Sequence, residues 1–174
     1  MTIRLTGRKD HNRWLRKILS AQHFNIVLDL GCGEGTDDEG NNYSDYYSFD
    51  HLIRIDKEEG CVNSRGKTIT YPIDIVARAE SLPIEDNSIN FIFSNWVFYH
   101  TNMPQALREM QRVLIPKEYV MISYWGGEKI VGCESIRNLL KSAFDITELF
   151  EHVCDMSIGD DRNGKYEAIY GRLK

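Results

Sequence analysis

The sequence predicts an α/β domain with a mostly parallel sheet, and three observations lead there. Five short runs are almost continuously apolar, the pattern of strands covered on both faces. Segments with helical period lie between the later runs. A glycine-rich stretch, "VLDLGCGEGTD" at residues 27–37, follows the first run directly. The chain has 174 residues, 42% of them hydrophobic and 27% charged. That suits one globular domain spanning 1–174, with 1–24 as an N-terminal arm and helix.

Residues 13–24, "RWLRKILSAQHF", place Trp14, Leu15, Ile18 and Leu19 on one helical stripe. "NIVLDL" reads as the first strand, ending at Asp29, and "HLIRID" as the second, ending at Asp56. "KTITYPIDIV" contains a third, "INFIFSNW" is the fourth and "YVMISYW" the fifth. Between the last two, "TNMPQALREMQRVLIP" is a helix. Thr101 or Asn102 caps it, Pro104 sits in its first turn, and Ala106, Leu107, Met110, Val113 and Leu114 form its apolar face. Pro116 ends it. "ESIRNLLKSAF" is the next helix, and two strands flank "GDDRNGK".

Composition narrows the function classes. No apolar run approaches the ~20 residues of a membrane span, and "MTIRLTGRKD" lacks a signal-type apolar core, so the expected compartment is the cytoplasm. Cys32, Cys61, Cys133 and Cys154 form no C-x-x-C pair, and no histidine cluster has zinc spacing. They read as free thiols, with no metal site. Net charge is −5. Arg4, Arg8, Lys9, Arg13, Arg16 and Lys17 nevertheless crowd the first 17 residues against Asp10 alone. This arm either draws in an acidic or phosphorylated acceptor or is a solvated helix face. The acidic body argues against nucleic acid.

Gly31, Gly33 and Gly35 follow the first strand at every second position. Such a loop turns sharply and lets a ligand approach bare backbone. A dinucleotide site wants G-x-G-x-x-G/A, but Thr36 occupies the last position, which disfavours an NAD-dependent oxidoreductase. No G-K-[ST] follows, so a P-loop fails too. Asp29 before the glycines and Asp37, Asp38 and Glu39 after them suit a cationic ligand better than a pyrophosphate. Asp56, at the end of the second strand, is placed to accept ribose hydroxyls. S-adenosylmethionine, a nucleoside with sulfonium and ammonium charges, meets these requirements.

With those residues in view, "VLDLGCGEG", "LIRID" and "ARAESLPIEDNSINFIFSNWVFYHTNMPQALREMQRVL" together resemble the class I SAM-dependent methyltransferases, and the small-molecule, type 11-like group in particular. The resemblance covers residues 25–125. It implies a Rossmann-like sheet of seven strands, the last antiparallel, with helices on both faces. Carried over by position, Asp29, Gly31 and Gly33 line the methionine part of the cofactor, with Cys32 and Gly35 in the same loop. Asp56 binds the ribose and Lys57 lies beside the adenine. Ala79 and Glu80 edge the adenine, while Ser94 and Asn95 face the transferred methyl. His100 matches a histidine frequent before the "ALREM" helix. It either takes a proton from the acceptor or caps that helix.

Three departures stand out against the family pattern. Arg78 replaces an aspartate that accepts from the adenine amino group. An arginine accepts nothing, so Glu80 or a backbone carbonyl substitutes, or Arg78 turns outward to pair with an acid. "TDDEGNNYSDYYSFDH" is too polar for the first crossover helix, which is expected to be shortened or missing. Tyr43, Tyr46, Tyr47 and Phe49 then form either a lid over the cofactor or an apolar patch in the helix's place. "IPKEYV" stands where two glycines are usual, which puts Lys117 or Glu118 in a left-handed turn or changes the turn.

The resulting expectation is methyl transfer from S-adenosylmethionine to an O or N atom of an unidentified acceptor, leaving S-adenosylhomocysteine. A small molecule or a sugar or envelope polymer is favoured. Trp96, Phe98, Tyr99 and Trp125 are either an acceptor pocket or core. The short "GGEKIVGCE" connection leaves the site open, or closed by residues 1–24, or closed by a second subunit in a homodimer. The rival expectation is a domain that binds the cofactor, or has lost it, and acts only through a partner.

Overall fold

The computed structural model describes residues 2–4, 8–33, 35, 40–58, 61–62, 68–69, 72–95, 97–127, 133–153 and 164–174. The strands are β1 (Thr2–Arg4), β2 (His23–Leu30), β3 (Ser48–Asp56), β4 (Cys61–Val62), β5 (Thr68–Ile69), β6 (Ile75–Val76), β7 (Ile89–Asn95), β8 (Leu114–Gly127), β9 (Phe144–Val153) and β10 (Gly164–Leu173). The α-helices are α1 (Arg8–Leu19), α2 (Met103–Val113) and α3 (Cys133–Ala143). The main sheet runs β1-β9-β10-β8-β7-β2-β3-β6. β10 is antiparallel to both its neighbours, and the other pairings are parallel.

Seven of these strands form the expected sheet with its antiparallel last strand. The eighth, β1, comes from the segment expected to be an N-terminal arm. It pairs with β9, Thr2 opposite Leu149, and so covers what would otherwise be an open edge. The third strand is shorter than expected. Pro72 interrupts the run, Thr68–Ile69 pairs with Cys61–Val62 in a separate ladder, and only Ile75–Val76 joins the main sheet. α1 is shifted from 13–24 to Arg8–Leu19, because His23 and Phe24 pair with Ser48 and Phe49 as the start of β2.

Residues alternate across the sheet between two cores. Leu28, Leu30, Ile92, Val120 and Ile122 pack under α2 and α3 through Ala106, Leu107, Met110, Val113, Leu140 and Ala143. Asn102 caps α2, its side chain accepting the Gln105 N–H at 3.4 Å, and Pro104 lies in the first turn. The helix stops at Val113, ahead of the expected stop at Pro116. Leu114 already has strand geometry and pairs with Ile89.

On the other face, Val27, Phe91, Phe93, Met121 and Phe150 pack under Trp14, Leu15 and Leu19 of α1. Among the described residues, no α-helix links β2 to β3. A single-turn 3-10 helix, Tyr43–Tyr46, stands there instead. Tyr46 and Tyr47 are buried in this second core, with Tyr43 and Phe49 packed against it. Tyr47 meets Phe91 at 5.6 Å and Phe93 at 6.0 Å between ring centroids, and Tyr43 meets Phe93 at 5.2 Å. Arg16 of α1 lies over the Tyr46 ring at 4.7 Å. Of the two roles open to these aromatics, they fill the place of the missing helix.

An irregularity near the start of β8 carries the left-handed residue, and of the two candidates it is Lys117, with φ 70°. Register jumps there from Ile89↔Leu114 to Phe91↔Tyr119. A non-glycine residue in that region costs about 1–2 kcal/mol, and glycine removes the cost at some loss of unfolded-chain rigidity. Lys117→Gly is therefore expected to stabilise the protein by about 0.5–1 kcal/mol, read as a higher urea midpoint at unchanged slope.

Candidate cofactor site

The glycine loop leaves β2 at the carboxyl edge of the sheet and is tied down by backbone. Gly31 and Cys32 N–H both donate to Ile55 O, at 2.7 and 3.2 Å, and Gly35 N–H donates to Cys32 O at 2.7 Å. Gly31, Gly33 and Gly35 all have positive φ, at 70°, 49° and 63°. Gly31 is bare for a second reason. A Cβ there would lie 2.0 Å from Val97 Cγ2, so Val97, in the 3-10 turn after β7, closes on the loop. Among the described residues, a Cβ at Gly33 would meet nothing nearer than Gly31 O at 3.9 Å, so the space beside it is open to them.

Asp56, the last residue of β3, holds the loop from the other side. Its Oδ2 accepts the Gly33 N–H at 2.9 Å and its Oδ1 the Lys57 N–H at 2.7 Å. A carboxylate has about four lone-pair sites, so two backbone bonds leave room for hydroxyl donors. The Lys57 ammonium is exposed and pairs with Glu58 at 3.4 Å.

Asp29 is buried, and its Oδ2 has no partner among the described residues. Burial pushes its pKa up to about 7; Arg54, opposite it in the β2–β3 register, pulls the other way, and Asp56 adds to the rise. The Cys32 thiol is also pushed up, by burial first and then by Asp29 and Asp56, which makes it a poor nucleophile.

At the end of β7, Ser94 is fully buried, and its Oγ has no partner among the described residues. Asn95 is half-buried. Its Nδ2 donates to Tyr43 Oη at 2.8 Å, and its Oδ1 has no partner among the described residues. In register, Leu30 faces Ser94 and Asn95 faces Ser123. Ser123 Oγ lies 3.3 Å from Nε2 of the buried His11 on α1. His11 and Tyr43 therefore reach the same sheet face as Asn95, a convergence with no local sequence signal.

The turn carrying Ala79 and Glu80 has no regular structure and is held by α2. Glu80 Oε1 accepts the Asn102 N–H at 2.7 Å, and Gln105 Nε2 donates to Glu80 O at 3.2 Å. Burial raises the Glu80 pKa, but the Asn102 N–H, its own N–H and Arg78 together leave it lowered. Arg78 is exposed, points away and pairs with Glu80 at 3.4 Å, the outward alternative of the two considered. Arg112 donates to Leu82 O, Ile84 O, Asp86 and both oxygens of Glu109, at 2.6–2.9 Å. Glu109 Oε2 also accepts the Leu82 N–H at 2.8 Å. The i,i+3 acid–base spacing in "REMQR" was the available signal for this clamp. Ala79 and Phe98 are buried in the core under α2. The His100 side chain, Thr36, Asp37, Asp38, Glu39, Trp96 and the side chains of Tyr99 and Trp125 lie outside the described residues.

These features fit a cationic nucleoside. They comprise a buried carboxylate with an unpartnered oxygen, a second carboxylate with spare lone pairs, and open space beside Gly33. A family model described as a methyltransferase domain matches residues 28–122, more than half of the chain. The chain belongs to the class I SAM-dependent methyltransferase family. It is 31% identical over 112 residues to malonyl-[acyl-carrier protein] O-methyltransferase of Halorhodospira halophila, covering 62% of this chain and 37% of that protein. It is 24% identical over 110 residues to human mitochondrial arginine-hydroxylase NDUFAF5, covering 63% and 31%. The matches thus span about a third of the length of these curated relatives. Among solved structures it is similar to the N-methyltransferase NodS of Bradyrhizobium japonicum WM9 bound to S-adenosyl-L-homocysteine. The TM-score is 0.65 and the identity 17%, over 95% of this chain and 86% of that one. Among the described residues, no helix is long and apolar enough to cross a membrane.

Asp29 gives a pH signature. Its folded pKa lies above the unfolded value, so the native state binds more protons between about pH 4 and 7, and stability falls as pH rises through that window. Asp29→Asn removes this dependence. Thermal melts of ligand-free protein are expected to favour the variant over the wild type by about 2–3 kcal/mol more at pH 8 than at pH 5.

Proposed function

We propose that this chain transfers a methyl group from S-adenosylmethionine to an O or N atom of an acceptor, with a small molecule or a sugar or envelope polymer favoured. The observation that carries this reading is the pair of strand-end carboxylates, Asp29 and Asp56, on either side of the glycine loop. When bound, the cofactor supplies an electrophilic methyl on a sulfonium whose departure leaves a neutral thioether. The chain's work is then mainly positioning, bringing acceptor and methyl into line at ~3–3.5 Å.

Asp56 holds the ribose with the lone pairs that Gly33 and Lys57 leave free. Asp29, Gly31, Cys32, Gly33 and Gly35 line the methionine portion, where the Asp29 carboxylate offsets the cofactor's positive charge. That charge in turn favours ionised Asp29, whose proton is shed on binding. Ala79 and Glu80 edge the adenine, with the Glu80 carboxylate held on α2 and Lys57 beside it. Ser94 and Asn95 face the methyl. An acceptor hydroxyl or protonated amine gives its proton to a base, for which His100 is the sequence candidate. α1 covers the sheet face beside Asn95 through His11 and so encloses this side of the site.

Titration calorimetry with S-adenosylhomocysteine tests the reading. The wild type is expected to bind, and Asp56→Ala to weaken binding about 100-fold, because ribose bonds to a charged group and the Gly33 tether are lost together. NAD is expected to give no signal. Absence of S-adenosylhomocysteine binding, or unchanged affinity in Asp56→Ala, overturns the reading in favour of a domain acting only through a partner.

A further inference from the structure

We propose that Tyr43 is a positioning residue of the transfer site. Its hydroxyl fixes the Asn95 amide so that Oδ1 is presented as a hydrogen-bond acceptor where the methyl is passed on. Three observations converge on this. Asn95 ends β7, the strand beside the one that feeds the glycine loop. Its Nδ2 is committed to Tyr43 Oη at 2.8 Å, while Oδ1 is buried without a partner among the described residues. Tyr43 is itself anchored twice. Its ring packs on Phe93, and its N–H donates to Gly35 O at 2.9 Å. A backbone and side-chain path therefore runs from Asp56 through Gly33, Gly35 and Tyr43 to Asn95.

An amide free to rotate offers a donor or an acceptor equally. With one N–H of its NH₂ held by Tyr43 Oη, the amide turns its carbonyl to the other side. A buried acceptor left unmatched is costly, so a group bringing an N–H or O–H to that point is selected over one that brings only lone pairs. The acceptor class this implies carries a hydrogen on the methylated atom, a hydroxyl or an amine. A carboxylate or a tertiary amine is disfavoured. This inference rests on the cofactor reading above and adds to it the role of a residue from the segment that replaces the first crossover helix.

The test needs no acceptor. Sinefungin is a cofactor analogue with an ammonium-bearing carbon in place of the methyl-bearing sulfonium, so it brings N–H donors to the transfer point. S-adenosylhomocysteine brings none. The ratio of their calorimetric Kd values reads Oδ1 directly. In the wild type sinefungin is expected to bind more tightly. Tyr43→Phe keeps the ring and is expected to reduce that preference at least fivefold, with S-adenosylhomocysteine affinity within threefold and Tm within a few degrees. In the double variant Tyr43→Phe/Asn95→Asp, both oxygens accept whichever way the group turns, and the preference is expected to return. An unchanged ratio in Tyr43→Phe, an equal loss of both ligands, or failure of the double variant to restore the ratio overturns the role of Tyr43 and leaves the cofactor reading standing. A wild type that binds neither ligand overturns the cofactor reading itself, and this inference with it.

Discussion

A parallel sheet in this class must be covered on both faces, and here, among the described residues, no α-helix between β2 and β3 helps α1 to cover one of them. Phe24, Phe91 and Phe93 expose large rings on that side, and burying them is worth of the order of 1.5–3 kcal/mol each. The chain meets the demand with Tyr46 and Tyr47, supported by Tyr43, Phe49 and α1. Phe24 and Phe91 stack at 4.2 Å, and Tyr47 meets both edge-on. Edge-on and offset contacts add to plain area burial, so a short aromatic segment does the covering that several turns of helix would otherwise do. Because the segment is short, Tyr43 falls directly beside Asn95. The substitute for a packing element thus enters the site.

Charge at the carboxyl edge follows a similar economy. Asp56 serves as a tether for Gly33 before any ligand arrives, so its carboxylate is oriented in advance. Asp29 is the costly member. It is buried beside Asp56, with Arg54 acting in its favour, and its Oδ2 has no partner among the described residues. Such an arrangement persists where a ligand recovers the cost, and perturbed carboxylates gather at functional sites for that reason. The proposed cofactor has the charge that would do so.

The irregular turn from Arg78 to Ser88 shows how a loop without secondary structure is kept in place. Arg112 satisfies two carbonyls and two carboxylates, and Asn87 and Ser88 N–H return bonds to Arg112 O and Val113 O. The "RVL" helix is therefore the frame on which Ala79 and Glu80 sit. Its sequence signature and the "ESLP" signature describe one structural unit.

Much of this was legible in residue order. Strand ends at Asp29 and Asp56, the glycine spacing and the α2 stripe are local patterns with local causes, and from them the parallel sheet follows; its antiparallel last strand was implied by the family resemblance, and the shortened crossover helix by the polar segment set against that family's pattern. A left-handed residue at Lys117 or Glu118 was one of two outcomes expected where the family pattern has glycines, and Lys117 takes that conformation. Boundaries that depend on pairing were less legible. His23 and Phe24 have a helical pattern yet join β2 because β3 offers them partners, and Thr2–Arg4 becomes a strand only because β9 has a free edge. The sequence by itself determined which residue types stand at the carboxyl edge, since hydrophobic period and glycine conformation act over a few neighbours. Only the tertiary structure decided what those residues touch. The Tyr43–Asn95 bond, Val97 against Gly31, His11 on Ser123 and the outward turn of Arg78 join groups brought together by sheet register and core packing, and neither is written in any one stretch of chain.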